Sequence, residues 1–146
     1  FDGVTVETIS TPHDAVDGVA FVVDDGQHRL GILTDLGHVF PGLAQLVATL
    51  DAVFIESNYD DDMLRRGPYP HFLKQRIRGP GGHLSNEEAA QVLATAGGNL
   101  RWACLAHLSE RNNDPAIAQR THRRVLGSSI ELCVAKRDAT TGLLSL

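Results

Sequence analysis

Three apolar stretches in this chain each lead into a side chain able to bind a metal, and that pattern constrains the fold more than any other feature. Leu30-Gly31-Ile32-Leu33-Thr34 runs into Asp35, and Cys104-Leu105-Ala106 runs into His107. The alternating opening segment Val4 to Ile9 leads into Pro12-His13-Asp14. Such runs read as strands. Taken singly, an Asp after a strand is a common turn former, and a His beside a core is commonly just hydrogen-bonded. Three of them at strand ends point to convergence on one sheet edge and to part of a metal site.

The strands alternate with helical signals. Gly18 to Val23, the turn Asp24-Asp25-Gly26 and Leu30 to Thr34 predict a hairpin. Pro41 predicts a helix running through Leu50, followed by a strand at Ala52 to Glu56, a rhythm that favours a layered α/β fold. Short helices are expected over Asp61 to Arg66, capped by the acidic run Asp60-Asp61-Asp62, and over Pro70 to Arg78, before the turn Gly79-Pro80-Gly81-Gly82. Ser85 and Glu88 have capping-box spacing ahead of an apolar face made by Ala89, Ala90, Leu93 and Ala96, which stops at Gly97-Gly98. Trp102 to Ala106 and Ser129 to Ala135 read as further strands, and Asp114-Pro115 as the start of a helix between them.

The length of 146 residues and a hydrophobic content of 42% suit one domain with a real core. Cys104 and Cys133 lack CxxC spacing and read as buried thiols of a reducing compartment. No apolar run is long enough to span a bilayer and no leader precedes the first strand, so the expectation is a soluble, cytoplasmic chain without a membrane partner. Strand-like sequence begins almost at Phe1, which suggests a trimmed or partial product.

A net charge of -5 argues against binding nucleic acid by bulk attraction. Two local clusters run against it: Arg65, Arg66, Lys74, Arg76 and Arg78, and Arg120, Arg123 and Arg124. They are either phosphate contacts facing a cleft or a solvated surface.

His13, Asp35 and His107 are the candidate metal ligands, with Asp35 placed to bridge two cations. His107 opens an unusually polar loop, Ser109 to Asn113. His83 precedes a helix N-terminus, where an imidazole can pass a proton to a leaving oxygen, and Glu56 ends a strand where it can orient His83 or a ligand. His28, His38, His71 and His122 read as exposed or helix-surface residues.

The segments TDLG at 34–37, ESNYDDDML at 56–64, GHLSNEEAA at 82–90 and AHLSERNN at 106–113 together resemble the C-terminal half of a metallo-β-lactamase-fold hydrolase, within the YycJ/WalJ-like group related to tRNase Z and RNase J. The resemblance covers most of the chain, so residues 1–146 are read as the C-terminal portion of one such domain. It implies an αββα sandwich, with two sheets between outer helices, and two zinc ions at the sheet edges, manganese being the alternative. In that comparison His13, Asp35 and His107 are metal ligands and His83 assists phosphodiester cleavage; Glu56 is a further candidate catalytic residue from its strand-end position, and Ser85, Asn112 and Asn113 are candidates to face substrate. Tyr59 stands where many relatives have histidine.

The HxHxDH motif of the fold's N-terminal half is not in the sequence. His13, Asp35 and His107 are too few to hold two zinc ions. The resemblance therefore implies an inactive piece unless the missing half is supplied in cis or by another chain; a homo-oligomer is a separate expectation. With that half present, the implied activity is nuclease or phosphodiesterase chemistry on DNA or RNA by metal-activated hydroxide. The alternatives are a small-molecule metallo-hydrolase and an inactive structural or interaction fragment. A polymer substrate predicts that Arg65, Arg76 and Arg123 line one groove.

Overall fold

Residues of alternating polarity at the start of the chain and continuous apolar runs later dictate a sheet that is open at one side and covered at its centre. The computed structural model describes residues 3–97 and 99–146. Phe1 and Gly98, the second residue of the expected helix stop, lie outside the described residues. β1 (Thr5–Ser10), β2 (Val19–Asp24) and β3 (Arg29–Leu33) form an antiparallel meander. β4 (Ala52–Glu56), β5 (Trp102–Ala106) and β6 (Glu131–Val134) extend it in parallel, giving one six-stranded sheet in sequence order. The β2–β3 turn forms as its residues require: Gly26 takes a φ of 84°, and the Asp25 carboxylate accepts the Gln27 and His28 N–H groups.

Among the described residues five helices join the strands: α1 (Leu43–Val47), α2 (Asp61–Arg66), α3 (His71–Arg78), α4 (Asn86–Ala96) and α5 (Pro115–Leu126). The parallel strands advance in one direction, so right-handed crossovers place α1, α4 and α5 on the same face. Their core joins Leu43, Val47, Leu93 and Ala118 to Val22, Val53, Ala103 and Leu132 of the sheet. Gly31 lies in that same row of the register. A Cβ there would sit 2.5 Å from the Leu50 side chain, so the glycine makes room for leucine packing.

The other sheet face carries the row Phe21, Ile32, Phe54, Cys104 and Cys133. Phe21 and Ile32 are each 37% exposed, and Val6 on the same face is 57% exposed. The resemblance implied two sheets; the strands described here all pair into one, and its helix-free face is the apolar surface expected of a single sheet from a sandwich. Leu144 and Leu146 cover the corner around Ala52 and Trp102, where Trp102 Nε1 donates to the Ser145 carbonyl at 3.1 Å. Cys104 is buried, and Cys133 is only half-buried rather than fully so. No helix among the described residues is long and apolar enough to cross a membrane.

Two local expectations need correction. The helix expected from Pro41 to Leu50 is only Leu43–Val47, because Gly42 precedes it at a φ of 93°, a conformation that ends any helix starting at Pro41. His122, expected on a helix surface, is fully buried: its Nδ1–H donates to the Ala118 carbonyl at 2.9 Å and Nε2 has no partner. Burial lowers its pKa below 6.5, the Ala118 bond opposing this. A depressed histidine contributes fully above its unfolded pKa, and its contribution falls away as acid protonates the unfolded chain first. The stability difference between wild type and His122→Leu is therefore expected to shrink as pH drops below 6.5, measured by urea unfolding. A difference that does not vary with pH contradicts a neutral, buried His122.

Candidate metal centre

Asp35 follows β3 and His107 follows β5, both at the carboxyl edge where α/β sheets bind ligands. Both take left-handed backbone conformations, at φ 54° and 56°. Among the described residues only Asp17 shares that region outside glycine. Asp and His tolerate it better than most residues, and such strain collects at functional sites.

Glu56, the last residue of β4, holds the centre together from below. It is completely buried. Its Oε1 accepts the Nδ1–H of His83 at 2.6 Å and of His107 at 2.9 Å, while Oε2 accepts the Leu36 N–H at 3.0 Å and the Leu84 N–H at 3.4 Å. Burial alone would raise its pKa, but the bonds from His107, His83 and Leu36 outweigh that and hold it at about 2. Glu56 is thus an anion with both oxygens engaged, a positioning group rather than a ligand.

The two imidazoles it grips present their Nε2 atoms instead. His107 Nε2 lies 3.8 Å from Asp35 Oδ1. His13 arrives from the β1–β2 loop with its Nδ1–H on the Gly82 carbonyl at 2.8 Å, leaving Nε2 3.4 Å from the same Asp35 oxygen. Ring centroids are 4.8 Å apart for His13 and His83 and 5.2 Å apart for His83 and His107. Donor atoms of Asp35, Glu56, His83 and His107 all fall within 4.8 Å of one another. Imidazoles locked through the far nitrogen around a carboxylate are the donor chemistry of a divalent transition metal, so the residues fit such an ion. The bond to Glu56 raises the His107 pKa, burial opposing it. Metal must displace that proton, so metal affinity rises with pH through the raised value.

The loops reach the centre by close backbone approach. Asp14 N–H donates to the Gly81 carbonyl at 3.0 Å, and His38, expected only as an exposed residue, places Nδ1 2.6 Å from the Pro80 carbonyl. A Cβ on Gly37 would lie 2.8 Å from both the Pro12 backbone and the Pro80 carbonyl, and one on Gly82 would collide with the Ile77 carbonyl. Sequence reasoning also passed over Asp14. Its carboxylate sits 3.8 Å from His13 Nε2 and is held by Arg76 Nε at 2.6 Å, and that bond lowers its pKa.

Other expectations change role. Ser85 caps α4 in a complete capping box with Glu88. Asn113 donates to the Ser57 and Asn58 carbonyls and to Asn86 from a buried position, and Asn112, which donates to the Ser109 hydroxyl, has no exposed surface. These three, expected toward substrate, tie the loops together beside the site, and Asn113 also lines the cavity next to His107. Tyr59 is buried and bridges to Ser85, with burial raising its pKa. Nor do the arginines share a groove. Arg65 lines a surface cavity with His71, Lys74 and Arg78, Arg76 holds Asp14, and Arg123 ties the Gly127 and Ile130 carbonyls. Arg124 pairs with Glu87.

Because Glu56 orients two imidazoles, Glu56→Gln is expected to weaken zinc binding by about 10–100-fold, the usual loss when an outer-shell partner of a ligand is removed. A chelator-competition titration measures this. Unchanged affinity in a folded variant contradicts the orienting role.

No protein-family model matches the chain. It is 39% identical over 124 residues to the exodeoxyribonuclease WalJ of Streptococcus pneumoniae serotype 2, covering 83% of this chain and 45% of that protein. It is 33% identical over 127 residues to the exodeoxyribonuclease YycJ of Bacillus anthracis, covering 86% and 48%. The chain thus spans just under half the length of these relatives. Among solved structures it is similar to the metallo-β-lactamase-fold protein YhfI of Bacillus subtilis, with a TM-score of 0.70 and 20% identity over 93% of this chain and 48% of that one. It is also similar to zinc-bound PqqB of Methylobacterium extorquens, with a TM-score of 0.67 and 21% identity over 98% and 52%, and to the short form of human tRNase Z, with a TM-score of 0.61 and 16% identity over 99% and 45%. The chain carries the metallo-β-lactamase fold and is similar in sequence to WalJ and YycJ over just under half of their length.

Proposed function

We propose that this chain supplies one side of the active site of a metal-dependent phosphodiesterase that cleaves DNA, with zinc as the working metal and manganese as the alternative. The observation that carries the proposal is the placement of Asp35 Oδ1 among the Nε2 atoms of His13 and His107, with His107 and His83 both fixed by the buried Glu56. The choice of DNA follows what WalJ and YycJ are named for, since no arginine-lined groove argues for a polymer.

His13, Asp35 and His107 would hold the metal, and Asp35 has the second oxygen needed to share between two ions. When bound, the metal supplies Lewis-acid polarisation of the phosphate and a lowered water pKa. His83 does the proton work. Its Nδ1 is tied to the Glu56 carboxylate, which fixes the ring's orientation, so Nε2 can give a proton to the departing sugar oxygen and be recharged from water. Glu56 stays ionised throughout, as its pKa of about 2 requires. His13, Asp35 and His107 would suffice for one ion. A second needs ligands from an HxHxDH segment, and we assign these to further residues in cis or to a partner chain.

The test uses the complete native polypeptide with linear DNA. Removing metal with a chelator should abolish hydrolysis, and adding zinc or manganese should restore it. His83→Ala should lower kcat by about 100-fold or more while the metal stays bound, the usual share of a general acid. Hydrolysis that survives chelation, or is indifferent to His83, overturns the proposal.

A further inference from the structure

The cavity beside His107 shares only that residue with the metal-binding geometry above. It has a volume of about 550 Å³, within the range of small-molecule sites, and opens where the chain leaves β5 and β6. Leu108, Pro115 and Val134 give it an apolar wall, and Lys136 and Arg137 stand on its rim. Pairing continues one residue beyond β6, as Ala135 N–H donates to the Leu105 carbonyl at 2.9 Å, and this brings the rim to the metal edge. Arg137 Nη2 donates to the Leu108 carbonyl at 3.1 Å, which anchors its guanidinium over the residue that follows His107. Among the described residues its other N–H groups meet only a loose pairing with Glu110 at 3.9 Å, and the side chain is 62% exposed. Lys136 makes no hydrogen bond or ion pair among the described residues. Glu110 and Asp138 also line the cavity and balance its formal charge, so recognition here depends on directed N–H groups rather than on bulk attraction.

We propose that this cavity seats the single nucleotide next to the scissile phosphodiester, with its base against Leu108, Pro115 and Val134 and its own phosphate on Lys136 and Arg137. The proposal rests on the phosphodiesterase reading above. An apolar wall takes the face of a base, the two cations take a phosphate, and the shared residue His107 sets the neighbouring phosphorus at the metal edge.

The test titrates the complete native polypeptide, stripped of metal, with deoxyadenosine monophosphate, and separately with inorganic phosphate and with deoxyadenosine. Calorimetry reads the binding. The nucleotide should bind, and each part alone should bind about tenfold weaker or less, as expected when one half of a two-part contact is lost. Arg137→Gln, which keeps a donor for the Leu108 carbonyl, combined with Lys136→Ala, should weaken nucleotide binding by about tenfold, the size of a lost charge-assisted bond, and raise KM for DNA more than it lowers kcat. Val134→Trp, which fills the cavity, should do the same if the surface variants are ambiguous. A folded wild type that ignores the nucleotide, a double variant that binds it equally well, or phosphate alone binding as tightly as the nucleotide overturns the proposal. The two readings separate cleanly. Nucleotide binding by a protein that cannot cut DNA sinks the nuclease reading alone, and DNA cleavage unaffected by the double variant sinks the cavity reading alone.

Discussion

One buried carboxylate organises the functional end of this molecule. Glu56 sits at the end of a fully covered strand, where an isolated charge would be very costly, and four donors from three different segments meet it. Two of those donors are backbone N–H groups, of Leu36 after β3 and Leu84 before α4, and two are imidazoles. The same anion therefore fixes the paths of two loops and the tautomers of two histidines. Removing it would leave buried donors without partners as well as free rings, so positioning and loop structure fail together.

The sheet decides where that carboxylate stands. Antiparallel pairing of β1 to β3 brings the His13 loop alongside the end of β3, and the parallel run from β3 to β6 aligns Asp35, Glu56 and His107 along one edge. Same-handed crossovers then place α1, α4 and α5 on a single face. The consequence is an asymmetric molecule with one packed face, one largely apolar open face and a polar edge where both meet. The turn at 79–82 completes the edge, since the missing Cβ atoms of Gly37, Gly81 and Gly82 let the His13, Gly37 and His83 segments approach closely.

Much of this is legible in the sequence because it depends on local rules. The capping box at Ser85 and Glu88, the Asp-Gly turn after β2 and the strand ends at Asp35 and His107 each follow from residues a few positions apart. The four motifs also ordered the chain correctly along a known fold. What stayed hidden depends on long-range packing. The His122 side chain looks like a surface residue until α5 turns it inward, and the hydrogen bonds that tie Asn112 and Asn113 to neighbouring loops appear only once the chain folds. Arg123 reads as a free cation, yet the ending of α5 engages it with backbone carbonyls. The shortened α1 came from Gly42, whose left-handed conformation no pattern of hydrophobicity announces.

The account stands or falls on metal at the Asp35 edge. The direct measurement is anomalous diffraction at the zinc edge from crystals of the complete native polypeptide reconstituted with zinc. The account predicts an anomalous peak touching Asp35 Oδ1 and the Nε2 atoms of His13 and His107, with Glu56 still bonded to both Nδ1 atoms and not to the ion. Zinc bound elsewhere, or no peak at this edge after reconstitution, would contradict it.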